Sequence, residues 1–104
     1  MSSHVHPKSE SCRSDAPSMH DIYSVMSTKR PVFIQSRLYD NGVFVLKYVH
    51  RREDIHLIEL IDGMEELVDK FCTQKKYSVE TIVHEMKTLF HKTNTPVEIT
   101  FLYR

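Results

Sequence analysis

The sequence predicts a small single α+β domain, and three observations support this class. Apolar and polar residues alternate at 31–39 and again at 97–103, which is the period of a half-buried strand. Between them, at about 53–72 and 79–92, apolar residues recur three and four apart, which is typical of amphipathic helices. The chain has 104 residues, a length that allows one compact domain.

The composition of residues 1–28 predicts a disordered tail. The domain is then expected to span 31–104. The tail has eight serines and only scattered apolar residues, so it has little surface to bury. His4 and His6 are close enough in sequence to share a metal ion, but no third ligand stands near them. We therefore expect neither a metal nor another cofactor.

The composition limits the cellular location and the kinds of partner that we expect. Lysine plus arginine number 14, and aspartate plus glutamate number 14, so the formal net charge is zero and nucleic acid is disfavoured as a partner. Cys12 and Cys72 are the only cysteines, and they predict no disulfide framework and an intracellular location, in the nucleus or the cytoplasm. No apolar run approaches the roughly 18 residues of a membrane-spanning helix, so no membrane association is expected.

The first predicted strand, at 31–39, is followed by Asn41-Gly42 and then by the apolar run 43–49. Asn-Gly between two such runs is a strong hairpin signal, because both residues accept positive φ in a type I′ turn. Propensity therefore predicts that 43–49 is a second strand, paired with the first strand and with the C-terminal one.

The first predicted helix has an apolar stripe and an acidic outer face. The stripe consists of Leu57, Leu60, Met64, Leu67 and Phe71. The outer face carries Glu59, Asp62, Glu66 and Asp69. A solvated helix face and a docking surface for a basic partner would both account for these carboxylates.

Ser78 is suited to cap the second helix, at about 79–92. Asn94 tolerates a left-handed backbone conformation and Pro96 cannot continue a helix, so the helix is expected to end just before them. The half-buried C-terminal strand, 97–103, follows directly.

One segment resembles the active-site region of a known enzyme family. Gln35 lies six positions before Asn41, Asp40 directly precedes Asn41, and Gly42-Val43-Phe44 follow it. This pattern is similar to that of the Ulp-type cysteine peptidases, which process SUMO and related ubiquitin-like modifiers. In that family a Gln precedes the nucleophilic Cys by the same spacing, and the Cys lies in an Asp-Cys-Gly-Val-Phe segment at the start of a buried helix.

The resemblance implies a truncated relative that retains the nucleophile-side, C-terminal part of the peptidase domain. Gln35 would stand at the oxyanion-donor position and Asn41 at the nucleophile position, with 43–49 helical. A carboxamide cannot form an acyl intermediate as a thiolate does. The 34 residues before Gln35 are also too few to supply the family's general-base His and its acid. The family activity would be cysteine-type peptidase activity, and we expect this chain to be inactive.

The partners implied are a ubiquitin-like modifier or another protein. Self-association is a further expectation, because an incomplete peptidase domain would expose the apolar side chains of 43–49.

The residues alone support an alternative, a non-catalytic α+β protein-interaction domain with a β-hairpin at Asn41-Gly42. The conformation of 43–49 distinguishes the two hypotheses. A helix would favour the peptidase family, and a strand would favour the interaction domain.

Overall fold

In the computed structural model, the described residues are 2–4, 16–36, 42–73 and 78–103. In chain order the elements are β1 (Ser2–His4), α1 (Met19–Thr28), β2 (Val32–Gln35), β3 (Val43–Tyr48), α2 (Leu57–Thr73), α3 (Val79–Lys92) and β4 (Val97–Leu102). The predicted α+β class, with two helices before a C-terminal strand, is confirmed.

The strands form one sheet in the order β1-β2-β3-β4. β1 runs parallel to β2, whereas the β2–β3 and β3–β4 pairs are antiparallel. Along the ladders Phe33 lies opposite Val45, and Val45 in turn lies opposite Thr100. The strand prediction for 43–49 is therefore confirmed, including its pairing with both neighbours.

The helices pack on one face of the sheet. Alternate residues of β2, β3 and β4 contribute to a single apolar core together with buried residues of α1, α2 and α3. The strand residues in this core are Val32, Ile34, Phe44, Leu46, Val97 and Ile99. The intervening residues define the second face, which consists of Phe33, Gln35, Val43, Val45, Lys47, Glu98, Thr100 and Leu102.

The prediction of a disordered tail over 1–28 is wrong for β1 and α1. Ile22 and Val25 of α1 are fully buried in the core. The Asp21 carboxylate accepts hydrogen bonds from the Ser18 backbone N–H at 2.8 Å and from its hydroxyl at 3.0 Å, which fixes the start of the helix. This segment is ordered because one face of α1 completes the core. Residue 1 and residues 5–15 of the predicted tail lie outside the described residues.

The hairpin prediction is correct in its strand pairing and wrong in its turn. A two-residue Asn41-Gly42 turn would place Asp40 opposite Val43, but Gln35 lies there, and the Ser36 N–H donates to the Gly42 carbonyl at 2.8 Å. Gly42 does not have positive φ. It is instead packed so closely that a Cβ would overlap the Phe101 ring and lie 2.9 Å from the Leu102 carbonyl oxygen.

The two later helices begin and end through identifiable backbone contacts. α2 starts at Leu57 and not near 53, because the His56 N–H bonds to Thr93 while its carbonyl accepts the first helical bond, from Leu60. The predicted cap of α3 is confirmed, since Ser78 Oγ accepts from the Thr81 N–H at 3.1 Å.

The predicted end of α3 is also confirmed. Asn94 has φ 53°, and the Thr95 N–H bonds to the Phe90 carbonyl at 2.9 Å. This is the Schellman arrangement, which satisfies carbonyls at the end of a helix.

Candidate functional site

Gln35 and Asn41 are the two positions that the peptidase resemblance singles out. Gln35 is half-buried on the second face, opposite Val43. Asn41 lies outside the described residues. The helix that the resemblance implies over 43–49 is wrong, because these residues form the central strand β3.

Among the described residues, no histidine outside β1 lies in a buried site. The histidines of the described residues outside β1, at positions 20, 50, 56, 84 and 91, are all exposed. No group of three or more potential metal ligands occurs among the described residues. Within the same part of the chain, no helix is long and apolar enough to cross a membrane.

Cys72 lies half-buried near the end of α2 and is disulfide-bonded. The expectation that the cysteines form no disulfide is therefore wrong for Cys72. Cys12, the other cysteine of the chain, lies outside the described residues.

A groove that could hold a partner runs between α2 and α3. Its volume is about 770 Å³. Gly63 of α2 and Leu89 of α3 meet here so closely that a Cβ on Gly63 would overlap the Leu89 side chain. The small residue lets the helices approach at this point, and Leu67 adds to the apolar lining.

The α2 wall of the groove is acidic. The carboxylates that line it are Glu59, Asp62, Glu65 and Glu66 of α2 and Glu85 of α3. Lys92 is the basic residue of the lining, and Lys70 approaches Glu85 with 3.7 Å between Nζ and Oε1. These side chains are substantially exposed, so the groove presents a negative field to solvent.

A hydrogen bond ties the end of β4 to the start of α3. The Tyr103 hydroxyl donates to Glu80 Oε1 at 2.6 Å. This bond lowers the pKa of Glu80 below its usual value and raises the pKa of Tyr103 above its usual value. The contact is structural and lies outside the groove lining.

No family model, curated protein or solved structure matches the chain.

Sequence reasoning found part of the groove. The acidic outer face of α2 was visible in the sequence, and three of its predicted members, Glu59, Asp62 and Glu66, line the groove. The contribution of α3 was missed, because an isolated Glu85 gives no signal of which helix it will face. Gly63 was the available signal, since a glycine inside a helix often marks a close approach.

Proposed function

We propose that the chain is a non-catalytic protein-interaction domain, and that the groove between α2 and α3 binds a lysine- or arginine-rich segment of a partner protein. The observation that carries the proposal is the lining of the groove, where four carboxylates of α2 and one of α3 accompany the apolar side chains of Leu67 and Leu89. This proposal combines two hypotheses from the sequence, the non-catalytic interaction domain and the docking of a basic partner on the acidic face of α2.

Long basic side chains fit such a lining in two ways. Their methylene stems can pack on Leu67 and Leu89 while their charged ends reach the carboxylates above. Each exposed ion pair contributes only about 0–1 kcal/mol, so useful affinity requires several pairs at once. Binding should also weaken with added salt, because exposed charges are screened over a Debye length of about 8–10 Å at physiological ionic strength.

The test uses an oligolysine peptide as the probe and calorimetry at low and high salt. We expect saturable binding that weakens with salt, and no binding of an oligoglutamate peptide. The Asp62→Asn/Glu66→Gln double variant removes two groove charges and should weaken binding about tenfold, which corresponds to about 1.4 kcal/mol.

Asp69→Asn is the matched control, because Asp69 is an exposed carboxylate of the same helix that does not line the groove. It should change the affinity by less than about twofold. If neutralising two carboxylates outside the groove weakens binding as much as the double variant does, the loss of affinity reflects only the net charge of the chain. That result, or an absence of oligolysine binding, would overturn the proposal.

The truncated peptidase relative stays a hypothesis with fewer supporting observations. It rests on the residues from Gln35 to Tyr48, and the β-strand at 43–48 counts against it. It predicts binding of a ubiquitin-like modifier without hydrolysis of SUMO conjugates. NMR titration of the chain with SUMO tests this hypothesis. Changes in amide chemical shift that are confined to the α2–α3 groove would not support it.

The intracellular location, in the nucleus or the cytoplasm, also stays a prediction. The disulfide at Cys72 favours an oxidising compartment instead. A non-reducing gel distinguishes the intracellular location from the oxidising compartment. The protein is taken from its natural source, with thiols blocked at lysis.

A further inference from the structure

A second pocket, the Arg51 pocket, lies between α3, the start of β4 and the residues that follow β3. Its volume is about 270 Å³, and its lining consists of Arg51, Lys87, Phe90, His91, Val97 and Glu98. Phe90 and Val97 are buried core residues, whereas the other four have charged or ionisable side chains. The pocket shares no lining residue with the α2–α3 groove, so what binds here is independent of the proposed function.

Arg51 is held in place by the turn that joins α3 to β4. Its Nε donates to the Thr95 carbonyl oxygen at 3.0 Å. Thr95 is itself buried, and its N–H bonds to the Phe90 carbonyl at 2.9 Å, so the acceptor belongs to a fixed turn. Within the part of the chain that the structure describes, the N–H groups on the two Nη atoms bond to no protein acceptor. The guanidinium is therefore oriented by one hydrogen bond, and its paired Nη donors are available to a ligand.

α3 contributes two further donors to the same pocket. Lys87 and His91 are one helical turn apart, so they are neighbours on one face of the helix. Both residues are exposed, and neither forms an ion pair with any of the described carboxylates. Three side chains that can donate hydrogen bonds thus meet at this pocket without an acidic partner of their own.

Glu98 places a carboxylate in the lining. In the β3–β4 ladder it lies directly opposite Lys47, and both residues are exposed on the second face. Opposite charges at directly paired positions of a ladder attract each other, so Lys47 opposes the negative charge of Glu98. Arg51 and Lys87 together outweigh the single carboxylate, and the lining has a net positive charge even with His91 neutral.

We infer that the Arg51 pocket binds a phosphoryl group, as free phosphate or as a phosphorylated side chain. The planar guanidinium of Arg51 can donate to two phosphate oxygens at once, and the Lys87 ammonium supplies a point charge to another. The His91 imidazole donates an N–H in either protonation state. A phosphate monoester carries about two negative charges at pH 7, whereas a carboxylate carries one, so the two fixed cations favour phosphate.

Calorimetric titration of the full chain at low salt tests the inference. The probes are inorganic phosphate, a phosphoserine peptide of otherwise neutral residues, and the same peptide without the phosphate. We expect saturable binding of a phosphate probe at concentrations below the order of 10 mM, and no binding of the unphosphorylated peptide. Tighter binding of the phosphopeptide than of inorganic phosphate identifies a phosphorylated side chain as the ligand, and the reverse order identifies free phosphate.

Lys87→Gln removes one cation of the pocket and should weaken phosphate binding about tenfold. Lys92→Gln is the matched control, because Lys92 is an exposed lysine of the same helix that lines the α2–α3 groove instead. It should change the affinity by less than about twofold. Arg51→Lys keeps the charge but loses the paired donors and the bond to Thr95, and it should also weaken binding about tenfold.

Circular dichroism confirms that each variant is folded before the titration. The inference would be overturned if neither phosphate probe bound more tightly than the unphosphorylated peptide. Equal weakening in Lys87→Gln and Lys92→Gln would also overturn it, because the effect would then not depend on the pocket. A folded Arg51→Lys protein with wild-type affinity would do the same, since the oriented guanidinium would have no part in binding.

Discussion

Each of the two glycines of the chain packs closely against a neighbouring element, but the two surroundings differ in rigidity. At Gly42 an added Cβ would meet the Phe101 ring and the Leu102 backbone carbonyl, which belong to the neighbouring strand β4. At Gly63 it would meet the end of the Leu89 side chain, which is only partly buried. A half-buried leucine can change rotamer, whereas a strand backbone in a ladder cannot move without loss of hydrogen bonds.

We predict that Gly42→Ala destabilises the fold by about 1–3 kcal/mol, because it overpacks the β3–β4 contact. Gly63→Ala is the control and should lie within about 1 kcal/mol of the wild type, since the gain in helix propensity offsets the displacement of Leu89. Urea unfolding of the two variants measures both. A Gly42→Ala protein as stable as the wild type would contradict the close packing described for this residue.

At the scale of elements, α1 is where sequence and structure differ most. The serine-rich composition of 1–28 concealed a helical pattern, in which Met19, Ile22 and Met26 recur three and four apart. Ser18 and Asp21 also have the spacing of a capping box. The composition was averaged over the whole segment, and that average hid a ten-residue helix at its end.

We predict that Ile22→Ala lowers the free energy of unfolding by about 2–5 kcal/mol, because Ile22 is fully buried. Tyr23→Ala is the matched control on the same helix, since Tyr23 is 42% exposed. It should cost less than about 1 kcal/mol. Chemical denaturation compares the two, and equal small effects would mean that α1 does not belong to the cooperative fold.

The contact between Tyr103 and Glu80 links the end of β4 to α3 and predicts a pH dependence. The pKa of Glu80 is lowered in the folded chain, so its contribution is present above the usual value of 4.5 and is lost as the pH falls through the folded pKa. The pKa of Tyr103 is raised, so its contribution is present below the usual value of 10.0 and is lost as the pH rises through the folded pKa.

Tyr103→Phe should therefore reduce stability most between these two values and least at the extremes. The measurement is the difference in Tm between variant and wild type across the pH range. A difference that does not vary with pH would contradict a hydrogen bond to ionised Glu80. The effect should be small, because both groups are exposed to solvent.

At the scale of the whole molecule, the disulfide at Cys72 is a constraint that the sequence did not predict. Unreduced protein that is denatured and treated with iodoacetamide should give an unmodified Cys72 peptide, and prior reduction should make the same peptide fully alkylated. Loss of a disulfide typically costs about 2–4 kcal/mol, so Cys72→Ser should also lower the Tm. Full alkylation of Cys72 without reduction would contradict the disulfide.

The sequence predicted the parts of the fold that depend on local periodicity. The stripes of α2 and α3, the Ser78 cap, the Asn94 terminus and the strands β3 and β4 all follow from residues close together in the chain. The features that the sequence could not predict here depend on contacts between residues that are far apart in the chain. The ladder register makes Gly42 a packing residue, and the approach of α2 to α3 brings Glu85 beside the acidic face of α2.

The central claim is that the α2–α3 groove binds basic segments, and NMR titration of the labelled chain with oligolysine tests it most directly. We predict that the amide shifts of Asp62, Glu66 and Glu85 move together and saturate, while those of the second-face residues Phe33 and Val45 stay unchanged. Shifts confined to the second face, or the absence of any saturable shift, would contradict the claim.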